Sequence, residues 1–270
     1  MSRFMDAVRA EWLKVFTTRS WWVLGLVMVL YIGFTAALMA LLTSSLFGPS
    51  GDMPLEGTNL TTMVYSLGTA MGYVFPVLIG ALSVTAEYRH NTITPTFVSV
   101  GQRGPVLTAK VAVQGTLGLL YGIAALLSAV LASVFFFMGQ GMSTGLAEGG
   151  TWMMFLRSVI AMGLWAVVGV GLGALIRSQA GAIVVVLVFT QFIEPMARMA
   201  GGFNDTISQV TKFLPGSASD AFVGSSIYSE ITVGGAGQTL LWWQGGLVMA
   251  GYGVVVVVAA WLTRWSADVS

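Results

Sequence analysis

Residues 241–263 read LWWQGGLVMAGYGVVVVVAAWLT, and no charged side chain occurs anywhere between Glu230 and Arg264. About 20 apolar residues in helical form cross the roughly 30 Å hydrocarbon core of a bilayer. Helix is the natural form because lipid cannot satisfy exposed backbone N–H and C=O groups. A strand of a membrane barrel alternates polar and apolar residues over about ten positions. Neither Val254 to Ala260 nor the run Val184-Val185-Val186-Leu187-Val188-Phe189 alternates. Charge-free runs also separate Glu56 from Glu87 and Lys110 from Glu148. Charged residues make up 9% of the chain and hydrophobic ones 56%, against about 25% charged in soluble proteins. The sequence specifies an all-α membrane protein.

Working outward from these runs gives six spans, at about 21–43, 61–84, 106–137, 153–176, 180–198 and 241–263. Their orientation follows from the distribution of Lys and Arg. One face holds nine basic residues (Arg3, Arg9, Lys14, Arg19, Arg89, Arg103, Lys110, Arg177 and Arg264) against four acidic ones, a net of +5. The other holds three (Arg157, Arg198 and Lys212) against seven, a net of −4. The expectation is a multi-pass protein with both termini cytoplasmic.

Before the first span, Phe4, Met5, Val8, Trp12, Val15 and Phe16 recur at helical spacing. Arg3, Asp6, Arg9 and Lys14 take the opposite face, with Glu11 at the edge. This pattern fits an amphipathic helix lying in the membrane interface, followed by Trp21 and Trp22 as headgroup anchors. The segment is too long and too charged for the n-region of a signal peptide.

Between spans two and three lies TAEYRHNTITPTFVSVGQRGPVLTAK, residues 85–110, a polar, basic and turn-punctuated stretch. Residues 44–60 and 138–152 read as surface turns. Residues 199–240 follow Glu194-Pro195, where proline disrupts the fifth helix. Phe203 to Phe213 and Ser217 to Tyr228 are too short to span; they fit either short re-entrant helices packed on protein or an ordinary outer loop.

Searches for chemistry return mainly negatives. The sequence has no GxxxxGK[ST] phosphate loop, H-E-x-x-H, G-x-S-x-G or cysteine, and one histidine, His90. Gly169, Gly171 and Gly173 lie inside an apolar span, where small residues permit close helix packing. Gly68, Gly72 and Pro76 leave room in the second span for close packing or a bend. Glu194 and Arg198 are four apart and able to pair on one helix face; contact of Glu194 with a substrate is the other reading. Tyr73, Phe75, Phe189, Gln191 and Phe192 are the remaining candidates to line a pathway. Arg157 is expected to snorkel outward.

The segments AEWLKVFTTRSWW (10–22), GALSVTAEYRHNTITPTFVSVGQRGPVLTAK (80–110) and LPGSAS (214–219), with six spans over essentially the whole chain, resemble the permease subunits of ABC-2-type ABC transporters. The similarity is greatest to small bacterial, particularly actinobacterial, members. The resemblance implies a single permease domain over 1–270, with an elbow helix at 1–20, a cytoplasmic coupling loop at 85–104 and an extracellular re-entrant region at 199–240. It implies that Glu87, Tyr88, Arg89, Asn91, Thr92 and Thr94 form the contact region for a separate ATPase. Two ATPase copies, binding ATP and Mg, would pair with two permease copies, as a homodimer or related heterodimer, in the bacterial plasma membrane. This chain would carry no cofactor and no catalytic residue, and would have no nucleic-acid partner. The substrate expected is amphipathic: a peptide antibiotic, a drug or a lipid-like molecule. An ion-coupled secondary carrier and a membrane anchor or sensor that recruits a cytoplasmic partner are the alternatives.

Overall fold

The computed structural model describes residues 3–46, 57–92, 103–201, 204–225 and 240–265. Among them there is no strand, and six helices are long and apolar enough to cross a membrane. These run Ser20–Ser45, Leu60–Arg89, Gly104–Gly139, Gly149–Ile176, Gln179–Gly201 and Trp242–Thr263. The boundaries agree with the sequence reading except at the end of the second span. There the helix continues through residues 85–89, which the sequence reading puts in the loop.

Helix α1 (Arg3–Thr17) precedes α2 (Ser20–Leu46), which forms the first span. The second span consists of α3 (Gly57–Ala70) and α4 (Val74–Arg89). They are separated by a turn at 71–73, one turn before Pro76, whose ring and missing N–H disfavour an unbroken helix. Helix α5 (Arg103–Gly139) and α6 (Gly149–Ile176) form the third and fourth spans. The fifth begins with α7 (Gln179–Val188), widens by one residue over Phe189–Ile193 and continues as α8 (Glu194–Gly201). In that wide turn the N–H of Glu194 donates to Phe189, five residues back. Such a turn re-satisfies backbone groups upset by the following Pro195. Two short helices, α9 (Asp205–Thr211) and α10 (Pro215–Val223), precede α11 (Trp242–Ala260). Helix α9 lies inside the first of the two segments read as too short to span, and α10 begins two residues before the second.

The core lies along α4 and α6. Helix α6 packs on α4, α5 and α11, and α5 also packs on α1, α2 and α3. Glycines set the closest approach: a Cβ on Gly169 would run into the carbonyl oxygen of Val77, and one on Gly80 into that of Ala166. The helix-packing reading of the Gly169–Gly173 run is therefore what the structure contains. Facing outward are Leu30, Phe34, Leu131, Phe135, Leu247 and Val254, all exposed. Apolar side chains on the outside of such a bundle are the ones that meet lipid.

At the end of the bundle that carries Arg89 and Arg177, two helices finish in tight turns. Helix α4 stops at Asn91, which takes a left-handed conformation (φ 55°) while the N–H of Thr92 donates to the carbonyl of Glu87. Asparagine is among the few residues that tolerate this conformation, and it is a common helix stop. Helices α6 and α7 are joined through Arg177, also left-handed, and Ser178, whose hydroxyl caps α7 by accepting from Gly181 N–H at 3.2 Å.

Candidate functional site

Two buried charge networks stand out, one at each end of the bundle. The first joins α1 to α4 and α5. Ala7, Glu11 and Val15 recur every four residues and are all buried, so a carboxylate sits on the inward face of α1 rather than at its edge. Lys110, on α5, is 0% exposed. Its Nζ donates to Glu11 Oε2 at 2.8 Å, to Glu87 Oε1 at 2.7 Å and to the Ser83 carbonyl at 3.2 Å. All three ammonium protons are thereby used, which is the condition for burying a lysine. Lys14 bridges the same carboxylates from the rim, at 2.7 Å from Glu11 and 2.6 Å from Glu87. Burial disfavours the Lys14 charge, but Glu11 and Glu87 outweigh it and hold its pKa above the ordinary lysine value.

The residues assigned to an ATPase contact fall on different faces around this network. Glu87 is buried and turned inward. Tyr88 is half-buried, its ring 5.3 Å from the Arg177 guanidinium. Arg89 is exposed and donates to Gln179 Oε1 at 2.9 Å. Asn91 and Thr92 are exposed at the end of α4, and Thr94 lies outside the described residues. Glu87 is thus part of the fold's interior, while Arg89, Asn91 and Thr92 present an accessible surface.

The second network lies where α8 meets α10. Glu194 is 1% exposed. Its Oε1 accepts from the N–H groups of Gly216 at 2.5 Å and Ser217 at 3.2 Å, and from Arg198 at 3.3 Å. Those N–H groups open α10, where the helix dipole and free donors favour an anion. Gly216 is required for the approach, because any Cβ there would strike the carboxylate. Arg198 turns its other nitrogen to Asp220 at 2.7 Å. The expected Glu194–Arg198 pair forms, yet Asp220 is the arginine's shorter contact.

Of the six pathway candidates, the structure brings Tyr73 and Glu194 together. The Tyr73 hydroxyl lies 3.5 Å from Glu194 Oε2 and 3.3 Å from the Thr190 carbonyl. Its ring stacks on Trp165 at 4.4 Å, and the Trp165 indole donates to Ser219 at 3.1 Å. Phe75 instead packs near Tyr31, 6.2 Å between ring centres. Phe189 is half-buried, whereas Gln191 and Phe192 are exposed on the outside of the fifth span. Arg157 places its guanidinium 4.4 Å from the centre of the Trp242 ring, a cation–π contact rather than a simple outward reach.

Sequence reasoning missed Lys110, Glu11, Lys14 and Asp220 as site residues. In the sequence, Lys110 reads only as an orienting charge. Its signal is position: it lies inside the first two turns of an apolar span, where a lone cation needs a partner. Glu11 and Lys14, three apart on α1, supply half of the answer. No family model matches the chain, and no curated protein matches it either.

Proposed function

We propose that the chain is the membrane-spanning subunit of an ATP-driven transporter of the ABC-2 type, working with a separate ATPase. The observation that carries this reading is the clamp of α1 onto α4 and α5 through Glu11, Lys14, Glu87 and Lys110. Helices α4 and α5 carry the two ends of residues 85–104, the coupling loop that the family resemblance assigns to the ATPase contact. A force on that segment is delivered to two spans and an interfacial helix as one body, and α4 carries it on through its pairing with the central α6. The sequence holds no phosphate loop, so energy would come from ATP and Mg in the partner. On this reading both termini are cytoplasmic, the membrane is the bacterial plasma membrane, and a second permease copy completes the pathway for an amphipathic substrate.

The test is co-purification of the partner ATPase with this chain in nanodiscs. Stable co-purification, with ATPase activity reduced by Arg89→Ala at the exposed end of α4, supports the coupling assignment. A chain that retains no ATPase under any condition would overturn it.

One observation favours a second reading, an ion-coupled carrier. Glu194 is a buried carboxylate beside a helix N-terminus, and both the second and fifth spans are interrupted near it. Interrupted helices around a buried acid are the usual construction of a coupling-ion site. Uptake or efflux by proteoliposomes containing this chain alone, driven by a pH gradient and abolished by Glu194→Gln, would select this reading over the first.

A further inference from the structure

Helix α4 ends and α7 begins around an open cavity of about 560 Å³, lined among others by Tyr88, Arg89, Arg177, Ser178, Gln179 and Ile183. Two arginines are strapped across this junction in opposite directions. Arg89 reaches from α4 to the Gln179 side chain at 2.9 Å, and Arg177 reaches back from the α6–α7 turn to 5.3 Å from the Tyr88 ring. Among the described residues no acid lines the cavity, and the sequence of residues 93–102 contains none. Glu87, the acid of α4, is turned inward and shared by Lys14 and Lys110. Two guanidinium groups brought to one cavity without a carboxylate repel each other, and an anion between them offsets the repulsion. The turn itself does not call for Arg177. Its φ of 59° suits glycine or asparagine far better than arginine, so the side chain gives the reason for the residue.

We propose that this cavity holds the phosphate of an anionic membrane lipid, such as phosphatidylglycerol, between Arg89 and Arg177. Guanidinium groups present paired N–H donors that match phosphate oxygens, and basic pockets between membrane helices hold anionic heads in this way. The occupant is a lipid rather than a soluble phosphate because the cavity opens onto an apolar face. Further along α7, Val184, Val185, Leu187 and Val188 are exposed, and Ile183 continues that surface into the cavity wall. The acyl chains lie along this face. A zwitterionic head brings an ammonium toward the same two arginines, which lowers its gain from binding. The site asks only that the chain sit in a bilayer; no ATPase takes part, so its test is independent of the coupling assignment of Arg89.

The test uses the full chain in phosphatidylcholine nanodiscs carrying a rising fraction of phosphatidylglycerol or of phosphatidylethanolamine. Native mass spectrometry counts the lipids that remain bound after release. Phosphatidylglycerol is expected to be retained at fractions where phosphatidylethanolamine is not. Arg89→Gln and Arg177→Asn should each raise the fraction needed for half-occupancy roughly tenfold, the effect of losing a charge-assisted hydrogen bond. Asparagine suits the left-handed turn, so the delipidated Arg177→Asn protein should keep the wild-type thermal midpoint; Arg89→Gln, at an exposed position, tests the site without touching that turn. Arg19→Gln removes an exposed cation that does not line the cavity and should leave half-occupancy unchanged. Free glycerol phosphate at the same concentration should fail to displace the lipid, because the chains are part of what is bound. Displacement would identify a soluble phosphate as the ligand and overturn the lipid assignment. Equal retention of the two lipids, half-occupancy unchanged in both cavity variants, or an equal shift in Arg19→Gln would overturn it as well.

Discussion

The Nζ of Lys110 lies 2.7 Å from Oε1 of Glu87, with the lysine wholly buried and the two residues on the helices either side of the connector at 93–102. Two charges removed from water at this depth are stable only as a set. Removing one partner leaves the others uncompensated, which costs far more than the pair itself contributes.

Lys110→Met should therefore destabilise the protein by about 3–5 kcal/mol, since Glu11 and Glu87 would then share only the half-exposed Lys14. Adding Glu87→Gln to Lys110→Met should recover part of that loss. A double-mutant cycle on denaturation in detergent measures both. Additive penalties would show that the two side chains are not coupled.

Lys14 gives the network a pH limit that lies far from neutrality. Its pKa in the fold is above the ordinary value of 10.5. The stability it contributes is fully present below that unfolded value and is lost only as pH rises through the folded one. Thermal stability of wild type and Lys14→Met should therefore differ by a constant amount between about pH 7 and pH 9. A gap that closes within that interval would contradict the assignment.

Alanine replacements separate glycines that set helix contact from those that do not. Alanine is favoured over glycine in an exposed helix by about 1 kcal/mol. Gly251→Ala, with open space around it, should be neutral or slightly stabilising. Gly169→Ala would drive a methyl group into the backbone of α4 and should cost about 1–3 kcal/mol by overpacking. Midpoints of thermal aggregation check this: that of Gly169→Ala should fall below wild type, and that of Gly251→Ala should not.

At the far network, Asp220→Asn should weaken the 2.7 Å contact to Arg198 yet leave Glu194 to hold the guanidinium. The expected cost is about 1–3 kcal/mol. Arg198→Met should cost more, because two buried or half-buried carboxylates then lose their shared cation. The order of the two variants in a denaturation series is the measurement; a larger loss from Asp220→Asn would reverse the assignment of Arg198 as the hub.

Much of this architecture was legible before any coordinates. Charge gaps placed the six spans because lipid excludes charge over a fixed thickness, and the bend near Gly72 and Pro76 and the close packing at Gly169 followed from residue type. The end of the second span was less legible. Glu87 looks like a loop residue when each charge is counted alone, and only its partners on α1 and α5, far away in sequence, explain why the helix carries it inward. Asp220 was similarly hidden: nothing local distinguishes it until α10 folds against α8. Tertiary pairing of charges leaves almost no local pattern, whereas burial of apolar stretches leaves a strong one.

The clamp on α1 also imposes an order on biosynthesis. Glu11 emerges first, but the lysine it needs follows 99 residues later. Until the third span has been made, the first helix has no complete set of partners. A nascent chain halted before Lys110 should leave α1 open to protease, and one halted after Gly139 should protect it. The network thus records, in the finished protein, the moment at which its first half became committed to a single arrangement.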